Sequence, residues 1–230
     1  MVIDLGVYVP DSSSLEPFIQ MAQKLGFTGL ATPHTENGPE QSFTNNRFSV
    51  LKRADLTGKN LKSIRKRVDD VRRRAMIVSV DLTSVDTANW AADDKRVDLL
   101  TLNHLREYRL RDTTARLGAA SSTALEIKFE PLLNLNGLKR SKVIKMYRES
   151  VDTAIDSGMQ VILSSGAKHP LQLRSSRAMC YLCELLGMER KYAEHAVNQA
   201  PLDIVERNRR KLSSDYIMDG LEIIQRGSEE

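Results

Sequence analysis

A single α/β barrel of the TIM type, about seven parallel strands wrapped by helices, is the fold that the sequence predicts, and three observations predict it. The length of 230 residues suits one such barrel better than most single-core folds. Seven short apolar runs alternate with segments of helical periodicity, the pattern of parallel strands joined by right-handed crossovers. The rival doubly wound sheet lacks its nucleotide fingerprint: there is no G-x-G-x-x-G, and Gly58-Lys59 runs into Asn60.

The elements follow in order. Ile3 to Val9 (IDLGVYV) reads as the first strand, and Ser13-x-x-Glu16 as a capping box for a helix. That helix carries an apolar stripe of Leu15, Phe18, Ile19, Ala22 and Leu25, tolerates Pro17 in its first turn and stops at Gly26. Gly29 to His34 is the second strand, and the polar stretch Thr35 to Asn46 reads as a mobile excursion. Phe48 to Leu56 is the third strand. Asn60 then caps a helix with Leu61, Ile64, Val68 and Val71 on one face, which leaves Lys62, Arg65, Lys66, Arg67, Arg72 and Arg73 for solvent or a polyanion. Met76 to Leu82, Val97 to Asn103, Ala124 to Leu133 and Val161 to Ser165 complete the seven strands. Residues 1–212 are assigned to the barrel and 213–230 to a C-terminal helix or frayed tail, with Ile217, Leu221 and Ile224 as its docking side chains.

At 41% apolar and 28% charged residues the composition is that of a globular protein. No apolar run approaches the roughly 18 residues of a membrane helix, and the opening MVIDLGVYVPD lacks the marks of a leader, so a cytoplasmic protein with no membrane partner is expected. Cys180 and Cys183 form a lone CxxC in an apolar helix and read as buried thiols rather than zinc ligands.

Charge gives the first functional hint. Between Arg47 and Arg74 there are eleven Lys or Arg against Asp55, Asp69 and Asp70, and a second cluster follows at Lys139, Arg140, Lys142, Lys145 and Arg148. Such density suits a phosphate-bearing partner, because each neutralised phosphate releases counterion; the bland alternative is a solvated helix face. Few aromatics interleave, so stacking on single-stranded bases is not indicated.

In an α/β barrel the chemistry sits where strands end. His34, His104 and His169 fall at such points, with Asp4, Asp81 and Glu130 as carboxylates at comparable places, while His195 lies on a helix. A metal-dependent phosphoesterase acting alone through these histidines is therefore the alternative from a different class. A general chaperone of double-stranded RNA is a third reading.

The segments LEIKFEPLL (Leu125 to Leu133), VILSSGAKHPLQLRSSRAMCYLCELLGM (Val161 to Met188), APLDIVERN (Ala200 to Asn208) and the opening IDLGVYVP together resemble the archaeal ribonuclease P protein component 3 family. The resemblance implies a barrel related to the polymerase and histidinol phosphatase group of metal phosphoesterases, recruited to a ribonucleoprotein whose RNA does the cleaving. This sequence departs from those enzymes where their metal ligands would stand. Asp4-Leu5-Gly6-Val7-Tyr8 replaces Asp-x-His-x-His, and Ser164-Ser165-Gly166-Ala167-Lys168 replaces Ser-Ser-Asp-Ala-His. No catalytic and no metal-ligating residue is therefore expected, and a lysine there repels a divalent cation while attracting phosphate.

What the resemblance implies is a subunit that supports removal of the 5′ leader from precursor tRNA, with Mg2+ needed by the RNA and no cofactor held by the chain. Its implied partners are ribonuclease P RNA, a smaller Pop-five-like protein, other ribonuclease P proteins and, indirectly, precursor tRNA. Lys128 and Arg174 are the first RNA contacts it suggests, near strand ends inside the resembling segments, followed by Arg140, Lys142, Lys168 and Arg177; Arg65, Lys66, Arg72 and Arg73 come from the charge argument. Met179, Tyr181, Met188 and Tyr192 are core or protein-interface side chains.

Overall fold

The computed structural model describes residues 2–33, 38–43, 47–58, 60–105, 108–218 and 221–222, the last five of these by backbone alone apart from Tyr216. Seven parallel strands run in the order β1 (Ile3–Asp4), β2 (Gly29–Thr32), β4 (Phe48–Leu56), β5 (Ile77–Asp81), β6 (Leu99–Thr101), β7 (Ala124–Lys128), β8 (Val161–Ser164). The last meets the first without a regular ladder: Gly166 N donates to Gly6 O at 2.8 Å and Tyr8 N to Ala167 O at 2.7 Å, so the sheet is a nearly closed barrel. Helices α1 (Leu15–Lys24), α2 (Leu61–Arg72), α3 (Val85–Asp93), α4 (Asp112–Ser121), α5 (Glu130–Asn134) and α6 (Gly137–Asp156) fill the crossovers, and α7 (Ser176–Leu185), α8 (Arg190–Glu194) and α9 (Ala200–Leu212) follow β8.

Each helix buries the face its periodicity marks. In α1 these are Leu15, Phe18, Ile19 and Ala22, and Gly26 beyond its end takes φ +85°, where a side chain would strain the backbone. Asn60 Oδ1 accepts from Lys62 N at 2.9 Å and starts α2, which buries Ile64 and Val68. Cys180 and Cys183 are buried thiols in α7, and burial pushes Cys183 up to about 12.

Four local expectations are corrected. The helix start is held by Asp11, whose Oδ1 accepts from Ser14 N at 3.0 Å, and Ser13 turns its hydroxyl to the same oxygen instead of making a capping box. Part of the presumed excursion, Glu40–Phe43, is strand β3, antiparallel to β4 with Phe43 opposite Phe48; residues 34–37 and 44–46 lie outside the described residues. The run beginning at Ala124 leaves the sheet at Lys128, because Pro131 sits well in a first helical turn and lacks the N–H a strand would use. The tail holds a short antiparallel pair, β9 (Tyr216–Met218) and β10 (Leu221–Glu222), rather than a helix; Ile224 and the side chains of Ile217 and Leu221 lie outside what is described.

The barrel interior is layered by the two-residue period of its strands. The lowest layer is apolar, with Leu51, Ile77, Leu99, Ala124 and Ile162 packed on Ala200, Ile204 and Val205 of α9, which stoppers the N-terminal end. One step up, the same strands place Arg53, Ser79, Thr101, Glu126 and Ser164, all buried. One step further lie Asp55, Asp81 and Lys128 at the mouth. Polarity thus rises from bottom to top. α9 is locked in place by Asn208 Nδ2 to Met76 O at 2.8 Å, by Arg207 to Asp98 at 3.0 Å and by Arg209 to Glu40 of β3 at 2.5 Å.

Candidate functional site at the barrel mouth

Arg53 is the centre of the polar layer. It is fully buried, with Nη2 at 2.8 Å from Asp55 Oδ1 and at 2.5 Å from Glu126 Oε2, and Nη1 at 2.6 Å from Glu126 Oε1 and 2.5 Å from Leu5 O. Thr101 and Ser164 hydroxyls complete Glu126 at 2.5 and 2.7 Å, and Ser79 bonds Thr101 at 2.5 Å. Burial by itself would raise the Glu126 pKa; the attraction and hydrogen bonds of Arg53 outweigh it and bring Glu126 down to about 2. A buried bidentate ion pair with its remaining lone pairs satisfied is the arrangement that survives desolvation.

This network fills the barrel interior directly beneath the mouth. A Cβ added to Gly6 would lie 2.4 Å from Ser164 Oγ and 2.8 Å from its Cβ, so no histidine fits there. Lys128 Nζ donates to the Tyr8 hydroxyl and lies 4.8 Å from that ring's centre, while Tyr8 in turn donates to Asp55 Oδ1 at 3.2 Å. The residues do not fit a divalent cation, and among the described residues no group of three or more His, Cys, Asp or Glu is arranged to hold one.

Of the candidate histidines, His104 lines the mouth, where burial first and then the Lys168 and Lys128 charges hold its imidazole below the usual range against the pull of Glu130. His169 spends Nδ1 on Leu171 N at 3.2 Å, His195 lies against α6 and β8 at the other end, and His34 lies outside the described residues. Asp81 and Glu130 also line the mouth.

Asp4 sits behind it, buried, with Oδ1 accepting from Gly6 N and Ser165 N at 3.1 Å each and Oδ2 unpartnered. Burial raises its pKa above the ordinary 3.8, against the hydrogen bonds of Ser165 and Gly6, and the Glu126 charge adds to the rise. A raised pKa contributes stability that is complete below the unfolded value and lost as pH rises through the folded one. We therefore expect Asp4→Asn to be at least as stable as the parent at pH 7 and to lack this acid-side contribution. Urea unfolding between pH 3.5 and 7 checks it, and an equal destabilisation at every pH would refute it.

The cations singled out in the sequence fall on two faces. Lys128 and Lys168, Arg140 and Lys142 in the first turns of α6, and Arg174 and Arg177 at the start of α7 share the C-terminal end of the barrel at β7 and β8. Several have internal partners: Lys168 with Glu130 at 3.3 Å, Arg140 with Leu135 O at 2.6 Å, Arg174 with the carbonyls of Leu171 and Leu173 at 2.7 and 2.8 Å. Lys142 and Arg177 are exposed and have none among the described residues. The second face is α2, where Arg65 lies 5.4 Å above the Trp90 ring and Lys66 and Arg73 are exposed. Arg72 is corrected: it pairs with buried Asp98 at 2.6 Å and donates to the carbonyls of Ala75, Met76 and Arg96, so it holds the fold rather than facing outward. Met179 and Met188 are core, whereas Tyr181 and Tyr192 are about half exposed, at 53% and 54%.

Sequence reasoning missed Arg53, Asp55, Glu126, Thr101 and Ser164 as one unit. The available signal was the period of two within strands read as uniformly apolar: Leu51-Arg53-Asp55, Ile77-Ser79-Asp81 and Ala124-Glu126-Lys128 each step from apolar to ionisable.

A family model described as RNase P subunit p30 matches residues 1–213. Among curated proteins, the ribonuclease P protein component 3 of Methanosarcina barkeri is 27% identical over 227 residues, covering 95% of this chain and 93% of that protein. Its counterpart from Methanococcoides burtonii is 26% identical, covering 96% and 93%. A chain in the cryo-EM structure of archaeal ribonuclease P with mature tRNA superposes with a TM-score of 0.81 over 99% of this chain and all of that one, at 20% identity. A crystal structure of an amidohydrolase reaches a TM-score of 0.62 at 10% identity, covering 91% and 75%. These superpositions speak for the barrel fold.

Proposed function

The chain belongs to the RNase P subunit p30 family, and from that membership we propose that it acts as a protein subunit of ribonuclease P, supporting removal of the 5′ leader from precursor tRNA without supplying the chemistry. The observation that carries the second half is the buried Arg53, which takes the carboxylates that a metal would need. Catalytic Mg2+ then belongs to the RNA, and the work of this chain is to neutralise and position phosphates. Lys128, Lys168, Arg140, Lys142, Arg174 and Arg177 are the RNA contacts proposed on the β7–β8 side, and Arg65, Lys66 and Arg73 on α2. The internal bonds of Lys128 and Arg174 pre-order those cations, which lowers the entropy lost on meeting a phosphate.

A protein partner, the Pop-five-like subunit in this proposal, has apolar anchors available in Tyr181, Leu185 and Tyr192 on the outer faces of α7 and α8. Among the described residues no helix is long and apolar enough to cross a membrane, and action in the cytoplasm is part of the proposal.

Reconstitution tests the reading. Adding the chain to ribonuclease P RNA and the other protein subunits is expected to raise leader cleavage most at low Mg2+, with the gain shrinking as Mg2+ rises. Cleavage indifferent to the chain at every Mg2+ concentration would sink it. So would hydrolysis of simple phosphate esters by the purified chain with Mn2+ or Zn2+, which is what the stand-alone phosphoesterase reading requires.

A further inference from the structure

We propose that the barrel mouth is a pocket for one unpaired guanine base, a site that shares Lys128 and Lys168 with the proposed phosphate contacts and is built on the buried polar layer beneath it. The proposal rests on the ribonuclease P reading for its source of guanine, not for the pocket itself. A cavity of about 300 Å³ opens at the C-terminal end of the barrel, at the lower end of the usual size for small-ligand sites, roughly 300–1,000 Å³. Its apolar walls are Leu102, Leu105, Pro131 and the Tyr8 ring.

The charges around it nearly cancel. Arg53, Lys128 and Lys168 stand against Asp55, Asp81, Glu126 and Glu130, so a neutral planar group with a polar edge fits between them. The unspent polar atoms are acceptors beside a fixed cation. The Asp81 carboxylate stands in the cavity wall and accepts from Asn103 Nδ2 at 3.2 Å and from the Thr57 hydroxyl, which leaves lone pairs for a further donor, whereas Asp55 Oδ2 is buried without a partner and is not itself exposed in the wall. Lys128 lies close enough to pull on Asp81. Guanine alone among the four bases presents two adjacent donors, N1–H and the N2 amine, next to the O6 acceptor, which suits carboxylate oxygens beside an ammonium group. Bases taken out of a stack are read in this way, by their Watson–Crick edge inside a fitted pocket.

The test uses the full chain with GMP, AMP, CMP, UMP and ribose 5-phosphate as probes, followed by calorimetry and ligand-observed NMR. GMP is expected to bind saturably and about tenfold or more tighter than the other four, since one bidentate edge contact is worth about 1–3 kcal/mol of discrimination. Asp81→Asn should weaken GMP by about tenfold or more at an unchanged melting temperature; Lys128→Met gives the same readout if Asp81→Asn is unstable. Equal affinity for GMP and ribose 5-phosphate, no GMP binding at millimolar concentration, or GMP displaced by Mn2+ would each overturn the pocket. Kethoxal, which modifies free guanine N1 and N2, separates the sources. An RNA guanine protected by the parent chain and re-exposed by Asp81→Asn assigns the base to ribonuclease P RNA; GMP binding with no such protection assigns it to a free nucleotide. Failure of the chain to bind the RNA at all, with GMP binding intact, would count against the subunit reading and leave the pocket standing.

Discussion

Arg53→Met should lose about 3–5 kcal/mol of stability, the cost of leaving buried carboxylates without their cation. Methionine keeps much of the volume, so the loss reports charge rather than a cavity. Glu126 would then be buried beside Asp4 with only hydroxyl partners, and Asp55 would keep only Tyr8. The double variant Arg53→Met with Glu126→Gln should recover part of that loss, because glutamine can still accept from Thr101 and Ser164 without carrying charge. Urea unfolding of the parent, both single variants and the double gives the coupling energy. The parent should also weaken in acid, because the folded pKa of Glu126 is depressed: its contribution is complete above the unfolded value of 4.5 and is lost as pH falls towards about 2. An unchanged urea midpoint for Arg53→Met would show that the network is ornamental.

Removing exposed cations should have the other large effect, on RNA rather than on folding. Among the described residues Lys66, Arg73, Lys142 and Arg177 have no internal partner, and each phosphate contact contributes about 0.7–0.9 to the slope of log affinity against log salt. Changing all four to Ala should therefore flatten the slope by about three units, so that over a fourfold rise in salt the parent loses about sixtyfold more affinity than the variant. Split into pairs, Lys142 with Arg177 should account for more of the loss than Lys66 with Arg73, since the first pair shares the barrel end with the other proposed contacts. Arg72→Ala is the contrast: it should lower the melting temperature through its lost bond to Asp98 and leave the salt slope unchanged. A quadruple variant that binds with the parent's slope would move the RNA to another face. Filter binding of ribonuclease P RNA over several salt concentrations decides.

The barrel was legible in the sequence because seven apolar runs and their intervening helices each point to the same architecture, and each strand core falls inside its expected run. The boundaries were less so, for physical reasons. Glu40–Phe43 is short, polar and one-sided, so β3 has no apolar signature and is defined only by its pairing with β4 and by Arg209. Pro131 ends the sheet run three residues after Lys128, yet a proline says only where a strand cannot continue. At the site, the departure of Gly6, Tyr8 and Lys168 from a metal-ligand pattern was readable, but the Arg53 network was not. Arg53 and Glu126 are 73 residues apart and meet across the barrel interior, a closeness that only closure of the sheet creates. Arg72 failed for the same reason: helical periodicity placed it on the polar face, and its partner Asp98 comes from another crossover.

The stopper at the N-terminal end sets the order in which this protein can become watertight during synthesis. All seven barrel strands leave the ribosome before Ala200, Ile204 and Val205 of α9, so until then the lowest layer of the barrel faces solvent. The nascent barrel is a cup with an open floor, apolar and sticky, for as long as α9 is still inside the exit tunnel. Arg207, Asn208 and Arg209 then fasten that floor to strands or loops made more than a hundred residues earlier. A pause in translation just before α9 would therefore prolong the exposure of that apolar floor.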